Sequence, residues 1–223
     1  MLNRVLKYIL YFTLILSILV PVLNLTSCDK DREYDEAEVK AEAKRLLCES
    51  EKLNLILYGK GIGYVYGAHQ SGAYYEADFL HLNALGFTTV GELKEMVKKT
   101  FTTSYSENIF STVLSSISDG SYAVATARYY QLYDDQVNKI DPICIMVNKD
   151  YDYFFKDTVV YDYSTVTVKD VEGDTLRIGV SATVTDGEGN SQTREIVFEL
   201  IEESEGWRIN SPTFANYNPS LNQ

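Results

Sequence analysis

From Thr175 to Thr185 the chain reads TLRIGVSATVT, in which Leu176, Ile178, Val180, Ala182 and Val184 alternate strictly with Arg177, Gly179, Ser181, Thr183 and Thr185. A period of two turns one face of a strand toward a core and the other toward water, so this segment is half-buried β-structure and not helix. Its neighbours carry the same rhythm: Val159 to Lys169, Thr193 to Ile201 and Trp207 to Asn210 read as strands. The joints between them, Glu172-Gly173-Asp174, Asp186-Gly187-Glu188-Gly189-Asn190 and Glu203-Ser204-Glu205-Gly206, have turn composition. Joints this short make consecutive strands antiparallel neighbours in a meander.

The segment from Glu36 to Ile117 has a different period. From Glu36, Val39, Ala43, Leu46, Leu47, Leu53 and Leu57 fall on one helical stripe that should end near Tyr58-Gly59. Thr89-Val90-Gly91-Glu92 fits a capping box ahead of Leu93, Met96, Val97, Thr100 and Phe101. Ser104-Tyr105-Ser106-Glu107 repeats that signal before Ile109, Phe110, Val113, Leu114 and Ile117. Tyr122 to Leu132 reads as a further strand, and the stretch from Tyr133 to Lys156 gives no clear period. The expected fold class is therefore α+β, with an N-terminal helix and a helix pair packed on a curved antiparallel sheet.

The start of the chain carries a separate message. Arg4 and Lys7 precede an apolar run from Tyr8 to Leu25, and no acidic residue occurs before Asp29. A basic segment followed by an apolar one is the layout of a secretory signal, although a run of about 18 residues is also long enough to span a bilayer. At its end Leu25-Thr26-Ser27-Cys28 resembles the lipobox of bacterial lipoproteins: an aliphatic residue, two small ones, then cysteine. That resemblance implies a signal peptide over 1–27, lipid attachment at Cys28 and a protein tethered to the extracytoplasmic face of a membrane. Residues 28–35 would be a charged tether, 36–217 a single α+β domain and 218–223 a tail.

Charge and cysteine usage follow from this. The whole chain has a formal charge of −12, and loss of Arg4 and Lys7 with the leader makes it more acidic still. An acidic surface argues against a nucleic-acid partner and leaves membrane attachment to the acyl chains. Two cysteines then remain, Cys48 and Cys144, which in an exported chain could pair or could stay as separate thiols.

The order of elements, with the closing segment Gly206-Trp207-Arg208-Ile209-Asn210-Ser211-Pro212, resembles the nuclear transport factor 2-like (cone-shaped cystatin-like) superfamily. Such a resemblance implies a pocket between helices and sheet, used by some relatives for isomerase or dehydratase chemistry and by many only for binding. Leu93-Lys94, Thr100-Phe101-Thr102 and the serine-rich helix after them also resemble exported Firmicute envelope proteins, including the inhibitors of cell-wall DL-endopeptidases.

Chemistry-bearing motifs are few. His69 and His81 lie in a loop-rich segment without the spacing of a zinc motif, and the glycines from Gly59 to Gly72 follow a helix and read as a turn-rich connection. Asp134-Asp135 and Asp150/Asp152 lack the pattern of a calcium loop. No serine sits in a nucleophile-elbow setting, and no cofactor motif is present. What stands out is tyrosine, 18 residues in all. A tyrosine offers apolar area together with a hydroxyl, which suits glycans, peptides or a partner protein. Arg128, Tyr129, Tyr130, Arg177 and Trp207 are the candidate pocket or rim residues. The expected function is a membrane-anchored binding module for an envelope ligand or protein. The alternatives are a small-molecule isomerase or hydrolase with a carboxylate/tyrosine pocket, and an inhibitor of a wall hydrolase.

Overall fold

A computed structural model describes residues 34–67, 69–114, 127–133, 142–151, 158–186 and 188–213. The expected leader, the lipobox-like segment Leu25 to Cys28 and most of the expected tether lie outside these residues, as do Ile117, Tyr122, Asp134, Asp135, Asp152 and the expected tail. Among the described residues no helix is long and apolar enough to cross a membrane.

The architecture is α+β. Helix α1 spans Glu36–Leu57 and buries Val39, Ala43, Leu46, Leu47, Leu53 and Leu57, the stripe that the spacing predicts. Glu36 and Glu38 sit in its first turn, where carboxylates complement the positive end of the helix dipole. Strands β1 (Gln70–Ser71) and β2 (Tyr74–Glu76) form a small hairpin about Gly72, which takes a φ of 59°. Helix α2 (Phe79–Leu85) follows, capped by the Asp78 carboxylate and ended by Gly86 in the left-handed conformation. Helices α3 (Val90–Thr100) and α4 (Thr103–Val113) are the helix pair.

Both halves of the Thr89/Glu92 capping box are present. The second signal is displaced by two residues. Thr102, not Ser104, caps α4, accepting from the Tyr105 N–H while its own hydroxyl donates to Asn210 Oδ1 at 2.7 Å. That tie to the far end of the chain selects which of two neighbouring hydroxyls becomes the cap, and no local pattern encodes it.

The strands divide into two antiparallel four-stranded sheets where the sequence suggests one. The first has the order β1-β2-β4-β3, with β3 at Tyr129–Tyr133 and β4 at Pro142–Asn148. Strand β4 falls within the stretch that showed no clear period, because its central Ile145, Met146 and Val147 are buried from both sides and do not alternate. The second sheet is the expected meander: β5 (Thr158–Glu172), β6 (Thr175–Thr185), β7 (Ser191–Glu203) and β8 (Gly206–Ile209) in sequential order. Strand β5 is irregular between Asp162 and Thr167 and again between Val168 and Asp170.

The core joins the helices to the inner faces of both sheets. Ile178, Val180, Phe198, Leu200 and Ile209 are buried on the second sheet, with Leu46, Leu47 and Leu93 from the helices. Buried arginines serve two helix C-termini. Arg208 on β8 donates through Nε to the Lys98 carbonyl in the last turn of α3, and Arg128 donates through Nη2 to the Gly59 carbonyl just past α1. A cation at the carbonyl end of a helix satisfies orphan acceptors and complements the dipole, and α1 has no basic residue of its own there.

Candidate functional site

The glycine-containing segment after α1 is where chemistry-bearing side chains gather, and its path is set by hydrogen bonds to β2 and its flanks. The Val65 N–H donates to the Glu76 carbonyl at 2.9 Å, the Asp78 N–H donates to the Gly63 carbonyl at 2.8 Å, and Tyr64 bridges Ala77. His81, expected to be a loop residue, instead lies on α2, where its Nδ1 accepts from the Gly63 N–H at 2.9 Å. It is thus engaged as a structural acceptor. Gly61 is required: its φ is +77°, and an added Cβ would collide with the Arg128 guanidinium and the Tyr129 hydroxyl.

Pinned in this way, Tyr64 and Tyr66 close around Tyr75 of β2. Ring centroids are 5.6 Å apart for Tyr64 and Tyr66, 5.4 Å for Tyr64 and Tyr75, and 5.0 Å for Tyr66 and Tyr75. Tyr66 is 75% exposed, Tyr64 and Val65 are also open to solvent, and Tyr75 forms the buried floor. The Lys149 ammonium lies 5.6 Å from the Tyr75 ring centroid, a cation–π arrangement at the border of the cluster. A side-chain hydrogen bond with Tyr66 holds the Tyr64 phenol above its ordinary pKa. The result is an exposed aromatic platform with hydroxyls and one cation at its edge.

On the opposite face of the first sheet the register assembles a second group. Glu76 of β2 stands opposite Met146 of β4, which stands opposite Tyr130 of β3. The β1–β2 register continued by one residue places His69 opposite Glu76, and the Glu76 N–H donates to the His69 carbonyl at 3.2 Å. His69 Nδ1 lies 3.0 Å from Glu76 Oε2. Cys144 is two residues before Met146 and shares its face. The donor atoms of His69, Glu76 and Cys144 all lie within 4.8 Å of one another. Burial, and after it the Glu76 charge, pushes the Cys144 thiol up to about 11, so by itself it is a poor nucleophile at neutral pH. Tyr74, Tyr130 and Met146 form a buried cluster beside it, the two rings 4.8 Å apart edge to face.

The five residues singled out in the sequence are not brought to one surface. Arg128 and Tyr129 are buried together against the end of α1: the guanidinium carbon is 5.4 Å from the Tyr129 ring centroid and 5.0 Å from that of Tyr151. The Tyr129 hydroxyl donates to the Ile56 carbonyl and accepts from the Ile62 N–H, so it braces the fold. Tyr130 points to the other face of the sheet. Arg177 is exposed on the second sheet, near Asp170 and Glu172 at 3.7 and 3.9 Å. Trp207 is half-buried on β8 opposite Glu202. Cys48 on α1 and Cys144 on β4 are both free thiols.

A carboxylate–tyrosine pair does exist where Tyr163 donates to Glu51 Oε2 at 2.7 Å. Desolvation and the hydrogen bond to Glu51 raise the Tyr163 phenol well above its ordinary value. A phenol held that firmly is ill matched to proton transfer near neutrality.

The sequence signal for the platform was the interleaving of tyrosine with glycine from Gly59 to Gly67. For the His69, Glu76 and Cys144 group there was none, because only strand pairing unites residues 69, 76 and 144. No protein-family model, curated protein or solved structure matches the chain.

Proposed function

We propose that the chain is a membrane-anchored extracytoplasmic lipoprotein whose single α+β domain is a non-catalytic binding module for an envelope ligand, a glycan or a protein. The observation that carries the binding reading is the platform of Tyr64, Tyr66 and Tyr75 bordered by Lys149. Rings held at fixed mutual angles lose little entropy on stacking with a flat apolar face, and their hydroxyls give direction to the contact. The anchoring reading rests on the resemblance of Leu25-Thr26-Ser27-Cys28 to a lipobox after an apolar run.

Two measurements test the two halves. Full-length protein expressed in a bacterial host should incorporate labelled palmitate, and Cys28→Ala should not; continued labelling of that variant would refute anchoring at Cys28. The detergent-solubilised full chain should sediment with purified peptidoglycan or capture an envelope protein, and Tyr66→Ala should weaken capture by about tenfold or more, the loss of one good aromatic contact. Undiminished capture by Tyr66→Ala would remove the platform from the binding surface. Turnover of a small-molecule panel without capture would favour the isomerase or hydrolase alternative.

A further inference from the structure

We propose that His69, Glu76 and Cys144 form a three-ligand site for a zinc-class divalent cation on the face of the first sheet opposite Tyr129. The proposal is independent of the aromatic platform and of lipid anchoring.

The ligand types fit. Zinc is bound by imidazole nitrogen, thiolate sulfur and carboxylate oxygen, and three protein ligands with one open position is the pattern of sites that also take water or a substrate. The distances fit as well. With bonds of 2.0 to 2.3 Å in a tetrahedron, ligand atoms sit about 3.4 to 3.6 Å apart. The observed spread reaches 4.8 Å at most, and His69 Nδ1 and Glu76 Oε2 are 3.0 Å apart. Closing on an ion therefore asks at most about 1 Å of any separation and a few tenths of an ångström of the His69–Glu76 one. Side-chain rotation supplies both.

The backbone can stay where it is. Glu76 lies in the β2–β4 ladder, Cys144 pairs with Leu132 of β3, and the His69 carbonyl is held by the Glu76 N–H. Two ligands fixed by strand pairing and a third tied to β2 by a backbone hydrogen bond are largely preorganised, so an ion need not organise a loop in order to bind. The His69 side chain is 41% exposed, which gives an ion a path from solvent.

Charge selects the ion. On binding, the Cys144 thiol gives up its proton to solvent; the resulting thiolate and the Glu76 carboxylate together neutralise a divalent cation, whereas with a monovalent one they leave a net negative charge in a half-buried place. The competing soft ion is Cu(I), because Met146 Sδ lies 3.7 Å from Cys144 Sγ. Two sulfurs sharing one tetrahedral ion are separated by about 3.8 Å. A thiolate and a thioether favour copper, while the carboxylate favours zinc.

The test uses the full chain in detergent with reduced thiols, titrated with Co(II) as a spectroscopic stand-in and then with Zn(II) by calorimetry. The expected result is one equivalent of Co(II) with a thiolate-to-cobalt charge-transfer band, displaced by Zn(II). The band should vanish in Cys144→Ser and persist in Cys28→Ser and Cys48→Ser. His69→Ala and Glu76→Gln should each lower zinc affinity by more than the roughly 10- to 100-fold typical of losing an outer-shell partner. Because His69 is partly exposed before β1, its variant keeps the measurement interpretable if Cys144→Ser folds poorly. A band that survives Cys144→Ser, or zinc affinity unchanged in His69→Ala, overturns the site. Tighter binding of Cu(I) that is lost in Met146→Leu and kept in Glu76→Gln overturns the assignment to zinc.

Discussion

The Tyr129 hydroxyl donates to the Ile56 carbonyl at 2.7 Å, which joins the first sheet to the last turn of α1 through one buried oxygen. The same oxygen accepts from the Ile62 N–H at 3.0 Å, so two backbone groups depend on it. Tyr129→Phe keeps the ring and orphans both. The expected loss of unfolding free energy is about 1–3 kcal/mol, measured by chemical denaturation. Tyr66→Phe, on an exposed ring, should change stability by less than about 0.5 kcal/mol. Equal effects would show that the brace is not a stabilising element.

Gly61 lies under that brace with a positive φ, and a methyl group there would meet Arg128 and Tyr129. Gly61→Ala combines backbone strain with displacement of two buried side chains, so it should destabilise by roughly 2–4 kcal/mol. Gly72→Ala has open space around it and should cost only the conformational term, about 1 kcal/mol. Thermal melts of the two variants side by side decide whether crowding dominates.

Asn54 Nδ2 donates to Thr213 Oγ1 at 2.8 Å, Thr213 donates to Ser50 Oγ at 2.9 Å, and Ser50 donates to the Leu47 carbonyl at 2.8 Å. Thr213 is fully buried, and its carbonyl accepts from the Tyr161 hydroxyl. Thr213→Val preserves shape and breaks the relay, with an expected cost of about 1–3 kcal/mol, and Thr213→Ser should recover most of it. If valine and serine behave alike, packing rather than the hydroxyl fixes this segment to α1.

Burial raises the phenols of Tyr58 and Tyr129 to about 12 and pushes Tyr161 higher still. In the unfolded chain these groups release their protons near pH 10. The folded state therefore binds more protons above pH 10, and stability that is fully present below that pH is lost as pH rises toward 12. The slope should be on the order of 1 kcal/mol per pH unit for each buried phenol. Denaturant midpoints at pH 8, 10 and 11 would show the fall, and Tyr129→Phe should make it shallower. At the acid end, hydrogen bonds lower the carboxyls of Glu92, Asp162 and Asp186, so their contributions fade as pH drops below the ordinary carboxylate range.

The parts of the fold legible in the sequence are those fixed by local chemistry. The alternation of Leu176 to Val184 matches the buried face of β6, and the Thr89/Glu92 box caps α3 as its spacing predicts. Helix α2 escaped because its apolar Phe79 and Leu80 face solvent, so its start shows only in the Asp78 cap. The division into two sheets depends on which strands pair, and β2 finds β4 across about 70 intervening residues. The same long-range pairing hides the convergence of His69, Glu76 and Cys144. The buried positions of Arg128 and Tyr129 were equally unreadable, since their partners are backbone atoms at Ile56, Gly59 and Ile62.

Helix α1 comes first among the described elements, yet its tertiary hydrogen bonds run to Tyr129, Tyr163 and Thr213, all far downstream. In a chain made from its N-terminus, the apolar stripe of α1 has no complete surface to bury against until residue 213 has emerged. The four-strand meander closes through short turns, whereas α1 is held by some of the most distant contacts in the chain, whose loop-closure cost falls late. Burial of α1 is thereby tied to the arrival of the segment through Thr213, and a chain that stops short of it exposes the apolar stripe to chaperones and proteases.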